Sequence, residues 1–311
     1  MKKLFISMMA ASLLLSGCGA ATLGNNESKE DNKVEEKKAG ELKVGVSIST
    51  LNNPFFVSVK DGITTLANEN KTKTIVSDAQ NDASKQSNDI DDLIQQNVDV
   101  LLVNPVDSSA IQPAVEAANE ANIPVITLDR SSDGGDILTL VASDNVKGGE
   151  MAASFIVEKV GQGAKVVQLE GTPGASATRE RGKGFETIAE KELNVVQSQS
   201  ADFDRAKGLS VMENMLQSNS DITAVFAQND EMALGAVEAL KAAGKKDVLV
   251  IGFDGNEDGV KAVKDGTMAA TVAQQPVEMG KLALQAAYDH FEGKKVESKI
   301  DSPLELMKAN K

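Results

Sequence analysis

Asparagine and aspartate recur in a fixed relation along this chain. The apolar run Val100–Val103 ends at Asn104 and Val125–Leu128 ends at Asp129. In the second half Ala224–Ala227 is followed by Gln228 and Asn229, and Val248–Phe253 by Asp254. The interval from Asn to Asp is the same both times, 104 to 129 and 229 to 254. Such residues just past the carboxyl end of a strand stand where ligands of open α/β sheets bind. Their amides and carboxylates can replace the water that a ligand's hydroxyl groups give up. Arg130 follows Asp129, and its guanidinium should hold that carboxylate ionised, an acceptor of hydroxyl protons more than a proton donor. Asn53-Pro54-Phe55-Phe56 and Asp202-Phe203-Asp204-Arg205 put three phenylalanines in loops, where aromatic faces can stack on the apolar faces of a sugar ring. Thr178-Arg179-Glu180-Arg181 adds two cations, only one of which need point inward. Each residue also has a plainer use. Asn and Asp favour helix N-caps, Phe55 and Phe56 can pack a helix start, and the arginines can lie on an exposed helix face.

Covalent and metal chemistry find little footing. The phosphate-loop, zinc-helix and serine-elbow motifs are all missing, and Gly161-Gln-Gly163 and Gly182-Lys-Gly184 lack the rest of a dinucleotide fingerprint. Cys18 is the one cysteine, which excludes an intrachain disulfide and a cysteine zinc cluster, and His290 is the one histidine. Asp254-Gly-Asn256-Glu-Asp258-Gly259 matches half of a calcium loop, but position twelve is Asp265 where Glu is wanted, and a strand precedes it where a helix should. Asp129 and Asp254 could imitate a glycosidase pair, a role that Arg130 opposes. The expectation is no catalytic residue, no metal and no cofactor.

These residues need a scaffold. Short Val/Ile/Leu runs alternate with amphipathic segments from Leu42 onward. Strands are expected at Leu42–Ile48, Thr74–Ser77, Val100–Val103, Val125–Leu128, Leu138–Ala142, Lys165–Leu169, Val195–Ser198, Ala224–Ala227, Val248–Phe253 and Ala269–Ala273. Helical patterns fall at Ala110–Ala121, Lys147–Val160, Ala206–Leu216, Glu231–Ala243 and Met279–Phe291, with Asp204 as a cap and Gly244 as a terminator. Continuous apolar strands separated by helices read as α/β with parallel sheets covered on both faces. A chain of 311 residues has room for two such units at ~150 residues each. The net charge of −14 argues against a nucleic-acid partner, which calls for a basic surface.

The amino end is a targeting segment. Lys2 and Lys3 precede the apolar run Leu4–Leu15, which is too short to span a bilayer and ends in Leu15-Ser16-Gly17-Cys18. That ending resembles a bacterial lipobox, so residues 1–17 are expected to be cleaved and Cys18 acylated, anchoring the protein to the outer face of the cytoplasmic membrane. Residues 18–41 are polar and charged and read as a flexible tether, with a short charged helix conceivable at Glu35–Lys38.

From Leu42 to Lys311 the chain resembles the bacterial ribose-binding proteins, solute receptors of sugar ABC importers. The resemblance runs through Ser49–Phe56, Ile123–Arg130, Ala142–Val146, Ala201–Arg205, Val225–Gly235 and Gly252–Gly255; the loop Gly171-Thr-Pro-Gly174 departs from the pattern. It implies a type I periplasmic-binding-protein-like fold, two Rossmann-like lobes joined by a three-crossover hinge. The lobes would be 42–143 with 275–303 and 144–274 with 304–311. It puts a sugar pocket on Asn53, Phe55, Phe56, Asn104, Asp129 and Arg130 of the first lobe, and on Arg181, Phe203, Asn229, Asp254 and Gln274 of the second lobe and hinge. Arg181, and not Arg179, takes the contact. The implied ligand is D-ribose, with allose, another pentose or a furanose signalling molecule as the alternative. The implied partners are a permease with its cytoplasmic ATPase and, further off, a chemoreceptor; the protein itself would be a monomer. Sugar-responsive repressors share the bilobal core, but they carry a DNA-binding helix-turn-helix where this chain has an export signal.

Overall fold

The computed structural model describes residues 36–309, so the signal segment, Cys18 and most of the expected tether lie outside the described residues. The first stretch holds β1 (Lys43–Ile48), α1 (Pro54–Asn70), β2 (Lys73–Asp78), α2 (Ala83–Gln95), β3 (Val100–Val103), α3 (Gln112–Glu120), β4 (Val125–Leu128) and β5 (Thr139–Ser143). The second holds α4 (Asn145–Val160), β6 (Ala164–Glu170), α5 (Ser176–Glu192), β7 (Leu193–Ser200), α6 (Arg205–Ser218), β8 (Ala224–Ala227), α7 (Asp230–Ala242), β9 (Leu249–Asp254), α8 (Glu257–Lys264) and β10 (Ala270–Ala273). Helix α9 (Pro276–Phe291) and strands β11 (Lys299–Ser302) and β12 (Glu305–Lys308) follow.

The strands form two sheets of the same order, β11-β5-β4-β3-β1-β2 and β12-β10-β9-β8-β6-β7. All neighbours are parallel except β12, which runs antiparallel to β10. The chain passes between the two halves three times, after β5, after β10 and between β11 and β12. Every residue of β3, β4, β8 and β10 is buried, since helices cover both faces of each sheet. In the first lobe one core lies under α1 and α9 and another under α2 and α3. In the second, α6, α7 and α8 close one face and α4 and α5 the other.

All ten expected strands are present, with ends shifted by a residue or two. Strands β11 and β12 escape notice in the sequence because half of each is charged (Lys299, Asp301, Glu305, Lys308), the usual composition of a protected edge. Asp204 caps α6 by accepting from the Lys207 N–H, and Gly244, at φ 73°, follows the end of α7. Residues 36–38 are not helical; a 3-10 turn at Ala39–Glu41 takes their place. That segment is docked: the Lys37 N–H donates to the Phe291 carbonyl and its ammonium pairs with Asp99 at 2.8 Å.

Three helix pairs cross at glycines. A methyl built on Gly149 of α4 would lie 2.2 Å from the Arg181 carbonyl oxygen of α5, and one on Gly184 would lie 1.9 Å from that of Val146. Gly62 and Gly280 let α1 meet α9 in the same way, and Gly208 and Gly235 let α6 meet α7. Each pair includes a helix that begins at the ligand-facing end of a sheet.

Candidate functional site

The segments beyond the carboxyl ends of β1, β4, β6, β7, β8 and β9 converge between the lobes. They form a narrow cavity lined by Asn53, Phe55, Phe56, Asp129 and Arg130 from one side and by Arg181, Phe203, Asn229 and Asp254 from the other. A wider, polar vestibule bordered by Thr50, Asn81, Thr172 and Arg205 adjoins it. Asp202 and Arg205 are turned away into ion pairs with Lys207 and Glu231.

Capping and lining turn out to be compatible. Asn53 caps α1 through Oδ1, which accepts from the Phe55 N–H at 2.9 Å. Asn229 caps α7 by accepting from the Met232 N–H, while its Nδ2 donates to the Phe203 carbonyl at 3.2 Å. The aspartates cap nothing. Asp129 has φ 64° and Asp254 φ 112°, left-handed conformations that cost an L-residue about 1–3 kcal/mol. They occupy matching positions, one step past the pairs Leu128–Val141 and Phe253–Val272; the Asp129 N–H donates to the Val141 carbonyl of β5, and Asp254 pairs with Ala273 of β10.

The equal Asn-to-Asp interval is misleading for the asparagines. Asn104 Oδ1 accepts from the Ser49 N–H just past β1, and Gln228 Oε1 accepts from the Gly171 N–H just past β6. Gln228, not Asn229, is therefore the counterpart of Asn104. Asn104 is wholly buried, its Nδ2 donates to the Leu128 carbonyl, and it does not line the cavity. Gln274 sits in the second crossover, also behind the wall, with Nε2 donating to Asp254 Oδ1 at 2.9 Å.

The two arginines are held by backbone and rings. Arg130 Nη1 donates to the Pro105 carbonyl at 2.9 Å, and its guanidinium lies 5.1 Å from the Phe56 ring and 5.3 Å from Phe203. Arg181 stacks 3.8 Å from the Phe253 ring centre and donates from Nη1 to the Gln228 carbonyl at 2.6 Å. Its Nε donates to Asn145 Oδ1 at 2.8 Å. Asn145, Gln228 and Phe253 were not assigned to the site from sequence. Their only signal is membership of the matched segments Ala142–Val146, Val225–Gly235 and Gly252–Gly255.

Burial dominates the electrostatics. It pushes the Asp254 carboxyl up to about 7, against the pull of Arg181 and with the help of the Asp129 charge. Asp129 is also raised, by burial ahead of the opposing Arg130, Arg181 and Asn104. Arg130 Nε lies 3.6 Å from Asp129 Oδ2, an ion pair that opposes this desolvation. Behind Asp254, wholly buried Asp230 accepts from Thr271 Oγ1 at 2.7 Å and the Asn256 N–H at 3.0 Å, and burial raises it well above the carboxylate range. Asp129 Oδ1 and Arg130 Nε, both of cavity-lining residues, are buried with no hydrogen-bond partner among the described residues. A ligand with several hydroxyl groups can supply the partners, each worth about 1–3 kcal/mol when a buried polar group is otherwise unpaired.

The acidic run after β9 does not converge on a point. Asn256 caps α8, Asp258 pairs with Arg205, and Asp265 pairs with Lys261. Among the described residues no group of three or more His, Cys, Asp or Glu side chains is placed to hold a metal ion, and no helix is long and apolar enough to cross a membrane.

The family profile of the periplasmic binding protein domain matches residues 44–295. The ribose import binding protein RbsB of Bacillus subtilis (strain 168) is 63% identical over 266 residues, covering 86% of this chain and 87% of the relative. That of Salmonella typhimurium (strain LT2) is 51% identical over 265 residues, covering 85% and 90%. Among solved structures, the Caulobacter myo-inositol binding protein bound to myo-inositol superimposes with a TM-score of 0.83 at 33% identity, covering 89% of this chain and 96% of that one.

Proposed function

The chain belongs to the periplasmic binding protein domain family, and from that premise we propose that it is the extracytoplasmic substrate-binding protein of an ABC sugar importer, closing over D-ribose and handing it to the permease. The observation that carries the reading is the pair of buried aspartates at matching strand ends, each beside an arginine, with phenylalanine rings between them. Carboxylates and guanidinium forks hydrogen-bond hydroxyl groups strongly, and the rings suit the apolar faces of the sugar. The ribose import binding proteins named above support ribose over allose or another pentose. The lobes of this reading are 42–143 with 275–303 and 144–274 with 304–311, a division that sheet membership supports. The protein binds and releases its sugar unchanged, as a monomer, held to the membrane through a lipid on Cys18; a chemoreceptor is a second candidate partner.

Calorimetric titration of the purified protein with pentoses and hexoses tests this. Ribose should bind most tightly and be recovered intact by mass spectrometry. Tighter binding of another sugar would transfer the assignment to that sugar, and a ribose-derived product would overturn the binding-only role.

A further inference from the structure

Helix α5 carries Arg181 yet starts without a cap of its own, since Ala175 stands at the N-cap position. The Ser176 N–H donates instead to Ser108 Oγ, 3.1 Å away on the loop after β3 of the first lobe. Ser176 Oγ in turn accepts from the Ser131 N–H of that lobe at 2.9 Å. The Ser108 N–H donates to the Gly174 carbonyl at 3.1 Å. Gly174 has φ 88°, and a methyl built there would lie 1.9 Å from Asp107 Oδ2, so the approach requires glycine. At the rim Arg179 Nη2 donates to Asp133 Oδ1 at 2.8 Å. Ser108 and Ser176 are 0% and 2% exposed, and none of these residues lines the cavity between Asp129 and Asp254.

We propose that Ser108 is a cap supplied to α5 by the opposite lobe, and that the latch it forms with Ser176 sets sugar affinity without touching the sugar. The proposal rests on the reading of the cleft as one that closes over a sugar. The first N–H groups of a helix need acceptors from outside the helix. Here the acceptor belongs to the other lobe, so parting the lobes strips the cap and breaks three hydrogen bonds donated by backbone N–H groups together. Apparent affinity is the affinity of the closed form scaled by the fraction of protein that is closed. Groups that stabilise closure therefore tighten binding from outside the pocket. The buried serines dominate, because Arg179 and Asp133 are 48% and 40% exposed and solvent screens such pairs. Arg179, which the sequence leaves without a part in the pocket, acquires one at the rim. The Gly171–Gly174 loop, where the chain departs from the receptor pattern, supplies the second-lobe side of the contact.

The test is Ser108→Ala in the full chain, with Ser176→Ala as an independent variant removing the acceptor of the Ser131 N–H. Ribose affinity is read by calorimetry, and lobe separation by the distance between spin labels across the mouth, with and without ribose. Each variant should bind ribose roughly 3- to 30-fold more weakly, the range expected for one lost helix cap. Each should also be more open without ribose and reach the parent's closed distance at saturation. The sugar-free melting temperature should fall by no more than about 2 °C, since only the closed fraction of the sugar-free protein uses the cap. Arg179→Ala should weaken binding by less than about 5-fold. Unchanged affinity and distances in both serine variants would overturn the latch, as would a sugar-free melting temperature that falls further. If the parent fails to bind ribose, the sugar reading fails by itself, and the latch is judged on the sugar-free distances, where no difference between parent and variants refutes it.

Discussion

Asp254 closes a strand in a backbone conformation that side chains avoid, and Asp129 does so at the matching place in the other lobe. Replacing Asp254 removes the acceptor of Gln274 and the partner of Arg181, as well as the proposed sugar contact. Asp254→Ala should weaken ribose binding by about 2–4 kcal/mol, roughly 30- to 1,000-fold. Calorimetry beside the parent reads this directly, and unchanged affinity would remove Asp254 from the pocket. The same carboxyl makes the protein sensitive to pH. Its pKa of about 7 when buried, against 3.8 when solvated, means that between those values the folded form holds a proton which the unfolded form releases. Its contribution to stability is therefore full below about pH 4 and is lost as pH rises to about 7, by at most about 4 kcal/mol. Urea titrations at pH 4, 5.5, 7 and 8 should show parent and Asp254→Asn diverging across that window and running parallel above it. A constant difference would mean that Asp254 is ionised throughout. The residue types of the pocket were legible because strand-end Asn, Asp and loop Phe stand out against apolar runs. Whether Asn104 and Gln274 line the wall or stand behind it was not legible, since that depends on side-chain reach into a neighbouring loop.

At the scale of elements, the positions that matter are those with no side chain. Arg181 is presented to the cleft by a helix whose backbone lies against Gly149 of α4. Gly149→Ala should push α4 and α5 apart and cost about 1–3 kcal/mol of stability, with weaker ribose binding as Arg181 shifts. Gly182→Ala is the control: its methyl would meet Gln228 Nε2 at 3.4 Å and Gln168 Nε2 at 3.8 Å, both ordinary contacts, and alanine favours a helix by up to about 1 kcal/mol over glycine. Thermal melts of both variants check the contrast, and equal loss in the two would refute the close-approach account. The parallel strands were readable because burial on both faces leaves an uninterrupted apolar signature. The glycine crossings were not, because a helical glycine looks the same in sequence whether it meets a neighbour or solvent.

For the molecule as a whole, location and action are separable. The proposed anchor is Cys18, outside the described residues, whereas the first lobe takes hold of the chain at Lys37 through Phe291 and Asp99. Cys18→Ala should move the protein from the membrane fraction to the soluble fraction while leaving ribose affinity within about twofold, as fractionation and titration would show; retention in the membrane fraction would refute the lipid anchor. The three passes between lobes carry a further consequence, in the order of synthesis. Met279, Leu284, Tyr288 and Phe291 of α9 fill the core beneath β1 and β4, and β11 completes the same sheet. All of them are translated after the whole of β6 to β10. Domains commonly fold as they emerge, amino-terminal first, but here the first lobe lacks a wall of its core until α9 and β11 have been made. The first lobe therefore stays unfinished throughout the synthesis of β6 to β10, and the two lobes mature together instead of one after the other.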